Sequence, residues 1–145
     1  MPRLWPKRMS VFVLGVDTNV LVRFLTRDDA VQSEIARNIL TSRENQPIHI
    51  SLVALVELVW VLTKLKRWSR RDVFEVCRDL LRSGDFVIES AALVEQCLLE
   101  AENAKCDFAD ALIAAVNMRA GCATTVTFDH DARTLAGMTA AETFS

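Results

Sequence analysis

The sequence predicts an α/β fold with a mostly parallel central sheet covered by helices on both faces. Short apolar, β-branched runs at residues 11–16, 48–50, 86–88 and 122–128 alternate with longer segments of helical periodicity. Strands that recur only after a helix need crossover connections, which favour parallel pairing and burial on both faces. At 145 residues and 51% hydrophobic content, the chain holds one sizeable core and is not a largely disordered polymer. Its 3 Pro and 4 Gly leave little material for linkers, and no internal repeat, low-complexity tract or domain boundary is visible.

In chain order, residues 11–16 form a strand ending at Asp17, and a short helix follows through Leu25. Asp28 and Asp29 precede a helix over 30–42, in which Val31, Ile35, Ile39 and Leu40 have helical spacing, and Pro47 ends it. Residues 48–50 are a short strand. Ser51 caps a helix over 52–66, and Ser69 caps another over 70–82 that stops at Gly84, giving a helical hairpin. A third strand occupies 86–88, Ser90 opens a helix through Ala104, and a further helix covers 108–120 before Gly121. The strand over 122–128 ends at Asp129, and residues 139–144 add a last edge strand.

Residues 1–10 are basic and read as a leader of uncertain role, with residues 11–145 as a single domain; the apolar run after the leader lacks the small-residue cleavage site of a signal peptide. No apolar stretch approaches the roughly 20 residues needed to span a bilayer, so no membrane is expected. The mean hydropathy of +0.20 is high for so small a chain. Part of the apolar surface should therefore be covered by a partner, as in a homodimer or a peptide complex. Cys77, Cys97, Cys106 and Cys122 form no C-x-x-C pair, and His49 and His130 are not spaced with them for zinc. Three of the four cysteines fall in helical patterns, where buried thiols are common, and the usage suits a reducing cytoplasm. The net charge of -2 and pI near 5.7 argue against a surface given over wholly to nucleic acid. Charge is nevertheless uneven: Lys64, Lys66, Arg67, Arg70 and Arg71 surround Trp68 at the hairpin bend, a combination suited to phosphates and a stacked base. The same residues also serve as cationic decoration of a helix C-terminus.

Four carboxylates carry the chemistry. Asp17 closes the first strand, at the sheet rim where open α/β folds bind ligands, although an Asp there also serves as a helix cap. Glu57 is the one charged residue in the apolar stretch 51–62. Buried in that helix it would need a cation or a salt bridge, for instance to Arg23 or Lys64. Asp110 begins a helix of small and aliphatic residues and shares a face with Asp107, which also reads as an N-cap. Asp129 closes a second strand as Asp17 closes the first, and Asp131 stands two residues on, placed to cap a short helix from Ala132. Hard oxygen ligands without Cys or clustered His select Mg²⁺ or Mn²⁺ over zinc. Such ions activate water and stabilise the leaving oxygen of a phosphodiester. No Gly-rich phosphate loop, G-x-S-x-G elbow or recognisable Cys/His pair offers another chemistry.

Val16-Asp-Thr-Asn-Val-Leu-Val-Arg23, the lone Glu57, Asp107-Phe-Ala-Asp-Ala-Leu-Ile-Ala-Ala115 and Val126-Thr-Phe-Asp129 resemble the ordered motifs of the PIN domain. The likeness covers residues 11–144 and is greatest to the short VapC-type toxin ribonucleases of VapBC toxin–antitoxin pairs. The resemblance implies a three-layer α/β/α, Rossmann-like fold with a mostly parallel sheet, and a Mg²⁺- or Mn²⁺-dependent endoribonuclease. By position, Asp17, Glu57, Asp110 and Asp129 would be the catalytic, metal-binding acids, Asp131 would match an additional acid of some members, and Asp107 has the weaker claim. Asn19 and Thr127 would orient an acid or a metal-bound water. In-line attack of water on RNA would leave 5′-phosphate and 3′-hydroxyl ends. Lys64, Lys66, Arg67, Trp68, Arg70 and Arg71 would contact RNA, and the partners would be a cognate antitoxin and a second copy of the toxin. Two other functions compete. A PIN-like module could bind RNA or protein without cutting. An aspartyl-phosphate phosphatase would also place Asp at the first strand end, but it wants a second Asp where this chain has Asn19.

Overall fold

The computed structural model describes residues 14–145; the basic leader and the first half of the first predicted strand lie outside the described residues. Contacts along the chain divide it into two units, one ending at Glu89 and the other spanning Ser90–Ser145. The join carries no Gly- or Pro-rich linker, which is why the sequence shows no boundary there.

In the first unit, strands β1 (Leu14–Gly15), β2 (Ile48–Ile50) and β3 (Phe86–Ile88) form a parallel sheet in that order, with Leu14 opposite Ile48 and Ile48 opposite Phe86. Helices α1 (Thr18–Thr26) and α2 (Ala30–Thr41) connect β1 to β2, while α3 (Leu52–Trp60) and α4 (Arg70–Arg82) connect β2 to β3. The middle strand buries Ile48 and Ile50 completely, as a strand bonded on both edges and covered by helices must. Leu21, Leu55, Leu58, Leu62 and Val73 complete this core, all of them fully buried. Ser51 caps α3 by accepting from the Ala54 N–H at 3.1 Å, and Ser69 caps α4 by accepting from the Asp72 N–H at 3.1 Å.

Two expectations for this unit need correction. Helix α2 forms, but Val31, Ile35 and Ile39 do not face the core: Val31 is 69% exposed and Ile35 53%, whereas Ser33, Ala36 and Leu40 are buried. Small side chains let α2 lie close to α1, and the Ser33 hydroxyl donates to the Arg23 carbonyl at 2.8 Å. Helix α3 does not continue regularly to residue 66. After Trp60 it widens into a single π-helical turn, Val61–Leu65, closed by the Lys66 N–H donating to the Val61 carbonyl. Arg67 then reverses the chain at φ 57°, a left-handed conformation uncommon for a residue with a Cβ.

In the second unit, α5 (Ala91–Ala104) packs on α6 (Phe108–Arg119), and β4 (Thr125–Thr127) pairs in parallel with β5 (Met138–Ala140). Val94, Cys97, Leu98, Phe108 and Ala111 form its core. The predicted last strand is shorter and earlier than residues 139–144. Thr127, the last residue of β4, stands opposite Ala140, so the chain beyond loses its ladder partner and turns into a 3₁₀ segment, Ala141–Phe144. Ser90 opens α5 with its carbonyl, which accepts from the Val94 N–H; its side chain makes no capping bond. Gly121, at φ 98°, follows α6 in the left-handed conformation expected of a helix-ending glycine.

Cys77 and Cys97 are buried in α4 and α5, and burial pushes their thiols up to about 12 and about 11, so both are inert at neutral pH. Cys106 is also buried, but in the turn before α6 rather than in a helix, and Cys122 is exposed. Among the described residues no helix is long and apolar enough to cross a membrane. The buried face of α2 is tested by paired substitutions: Leu40→Ala should cost about 2–5 kcal/mol in denaturant melts. Ile35→Lys should stay within about 0.5 kcal/mol of the parent.

Candidate active site

Asp17 follows β1 and is the N-cap of α1, its carboxylate accepting from the Thr18 N–H at 2.7 Å. This bond uses Oδ1, and the side chain as a whole is exposed. The cap and ligand roles of Asp17 are therefore compatible. Next to it, the buried Thr18 hydroxyl donates to the Ala54 carbonyl at 3.4 Å. That bond ties the start of α1 to the first turn of α3, one helical turn before Glu57. Thr18 escaped the sequence reading because nothing local marks a hydroxyl whose acceptor lies 36 residues away.

Glu57 is exposed, which corrects the premise that it is a costly buried charge. Helix α3 turns Leu55 and Leu58 into the core and leaves Val53, Glu57 and Trp60 outside. Neither suggested salt-bridge partner is used. Arg23 pairs with Asp28 at 3.0 Å, and the Glu57 carboxylate makes no ion pair among the described residues. Asn19 is exposed one residue into α1, and its amide makes no hydrogen bond among the described residues.

Asp28 is the electrostatic hub of the first unit. Its carboxylate accepts from Lys66 and from the Thr26 hydroxyl and is paired with Arg23, and these contacts, Lys66 foremost, hold it down at about 2 against an ordinary 3.8. The pair joins the α1–α2 turn to the end of the π-helical turn. Lys66, one of the predicted RNA contacts, is thus engaged within the protein. Arg70, another, lies over the Phe74 ring at 4.6 Å.

In the second unit, Asp110 sits in the first turn of α6 and is half-buried, alone among the four acids. Burial raises its carboxyl above the ordinary range, and the negative charges of Asp107 and Asp129 raise it further. Asp107 occupies the N-cap position but its side chain makes no capping bond, so capping does not account for it. Asp129 follows β4, where its Oδ1 accepts from the N–H groups of Asp131 and Ala132, both at 2.8 Å. Asp129, not Asp131, therefore caps the short turn that begins at Ala132. Thr127 holds Asp129 from the other side, its hydroxyl accepting from the Asp129 N–H at 3.0 Å, so one predicted orienting residue does touch a predicted acid.

Burial first, and then the charges of two neighbouring carboxylates, disfavour ionisation of Asp110, and carboxylate oxygens are the donor type that a hard divalent cation takes. Among the described residues no group of three or more His, Cys, Asp or Glu side chains is placed to hold a metal ion. Mg²⁺ does not require one, because it keeps several waters and is commonly held by one or two carboxylates with substrate phosphates.

A family model for the PIN domain matches residues 15–138, across both units, and the chain belongs to the PIN domain family. PIN domains are typically nucleases that use divalent metals, so the family carries a nuclease hydrolase role with RNA as substrate and the three-layer α/β/α class with a parallel sheet. No curated protein matches the chain significantly.

Two pH effects of opposite sign follow. Asp28 is held low, so its stabilisation is complete above the ordinary carboxylate range and is lost as pH falls toward about 2. Asp28→Asn should therefore melt lower than the parent at neutral pH, and the difference should vanish in acid. Asp110 is held high, so the metal-free protein loses stability as pH rises through its titration. Metal-free Asp110→Asn should melt at or above the parent at neutral pH, and Mn²⁺ should raise the melting temperature of the parent more than that of the variant.

Proposed function

We propose that the chain is a Mg²⁺- or Mn²⁺-dependent endoribonuclease and the toxin of a type II toxin–antitoxin module, acting in the cytoplasm, held by a cognate antitoxin and dimeric. The observation that carries the metal-dependent reading is Asp110, whose half-buried carboxyl resists ionisation beside Asp107 and Asp129. A cation relieves that repulsion.

Asp17, Glu57, Asp110 and Asp129 are the metal-binding acids in this reading, with Asp131 as an outer member. A divalent ion, when bound, lowers the pKa of water and stabilises the leaving oxygen of a phosphodiester. The work of the chain is to hold these carboxylates ready. Asp17 is fixed by its cap bond, Asp129 by the turn that it caps and by Thr127, and the helix that carries Glu57 by Thr18. Hydrolysis adds the oxygen of water to phosphorus and breaks the bond from phosphorus to O3′. The proton ends on the 3′-oxygen, leaving 5′-phosphate and 3′-hydroxyl ends.

The test is to incubate the purified protein, free of antitoxin, with total RNA, with Mn²⁺ or with EDTA. Cleavage should require the ion, and Asp17→Asn should reduce it at least about 100-fold, more than loss of an outer-sphere group costs. Because Asn caps a helix about as well as Asp, the variant should keep the parent melting temperature. Metal-independent cleavage, or a fully active Asp17→Asn protein, would overturn the assignment. Binding without cleavage under all conditions would favour a non-catalytic module.

A further inference from the structure

The cations of the hairpin bend fall into two groups. Lys66 is held by Asp28 and Arg70 lies on Phe74. Lys64, Arg67 and Arg71 are exposed and make no ion pair among the described residues. Trp68 is half-buried, and its backbone N–H donates to the Leu62 carbonyl at 2.9 Å. A different aromatic is presented to solvent: Trp60 is 53% exposed, three residues after Glu57 on the same face of α3.

Building on the nuclease reading, we propose that the exposed face of α3 and the bend after it form a track for single-stranded RNA, with Trp60 stacking a base and Lys64, Arg67 and Arg71 holding phosphates. Trp60 lies one helical turn beyond Glu57, and Lys64 one turn beyond Trp60, so the three span about 10 Å along the helix axis. A base platform therefore stands between a candidate metal acid and free cations. A chain of net charge -2 that handles a polyanion must concentrate positive charge locally, and these three cations are available for it. Duplex RNA does not suit the track, because a face-on aromatic needs an unstacked base.

The backbone of the bend is built to hold these groups in place. The π-helical turn keeps Leu62 fully buried while leaving Lys64 outside, and Arg67 is held in the left-handed region. Single π turns and residues in sparsely populated conformations cluster at functional sites. Asp28, through Lys66, anchors the end of that turn to the α1–α2 turn. Lys66 is on this account a positioning residue and not a phosphate contact.

The experiment is fluorescence anisotropy of the full chain with a labelled, unstructured RNA oligonucleotide in EDTA, repeated across salt concentrations. Trp60→Ala should weaken binding about 5- to 100-fold with little change in the salt slope, and Trp60→Phe should restore most of it. Lys64→Gln, Arg67→Gln and Arg71→Gln should each lower the slope by about 0.7, and Lys66→Gln should not. Parent-like binding by Trp60→Ala, or an unchanged slope in the triple Gln variant, would overturn the track. So would loss of self-association in Trp60→Ala, seen by sedimentation, with RNA binding intact; that result would assign the face to a protein partner. Binding in EDTA does not depend on cleavage. A protein that binds as described but never cuts therefore defeats the nuclease reading alone, and one that cuts normally after Trp60→Ala defeats the track alone.

Discussion

The middle strand of the first unit sets the terms for everything attached to it. Strand β2 is bonded to a neighbour on each edge, and Ile48 and Ile50 are wholly enclosed. A strand so placed can carry no unpaired charge in its body. Polar function is displaced to where strands end and helices begin, and there unsatisfied N–H groups welcome a carboxylate. Asp17 occupies such a junction after β1, and in the second unit Asp129 does so after β4. In both, the capping bond that completes the local fold also fixes an acid with oxygen to spare.

The acids are not equivalent. Asp17, Glu57 and Asp129 are exposed, whereas Asp110 is half-buried beside Asp107 and Asp129 and resists losing its proton. Burial and the two neighbouring charges make Asp110 a local instability that folding tolerates. The contrast with Asp28 is instructive. Asp28 is equally a carboxylate, but Lys66 and Arg23 satisfy it, and its task is to join two turns.

Much of the fold was legible in local pattern. Three of the four crossover helices and the strands β2 and β3 lie within a residue or two of where periodicity put them, β4 starts three residues later than read, and the caps at Ser51 and Ser69 form as read. The PIN family match spans residues 15–138, the stretch over which the motifs were read. What was illegible has one form. Val31, Ile35 and Ile39 have the spacing of a core stripe, yet α2 buries its small residues against α1. Glu57, read as buried because its sequence neighbours are apolar, lies on the outside of its helix. Asp131, read as a cap, is displaced by Asp129.

The sequence by itself determined which segments are helix or strand, where acids stand relative to their ends, and the family to which the chain belongs. Periodicity, capping and motif order depend on residues within a few positions of each other. Only tertiary structure decided which helix face is enclosed, which carboxylate is hard to ionise, and which cations of the bend are available. Those outcomes rest on partners distant in the chain: Thr18 on Ala54, 36 residues away, and Asp28 on Lys66, 38 away. A lysine whose charge is satisfied and one whose charge is available read identically as letters, and the fold alone distinguishes them.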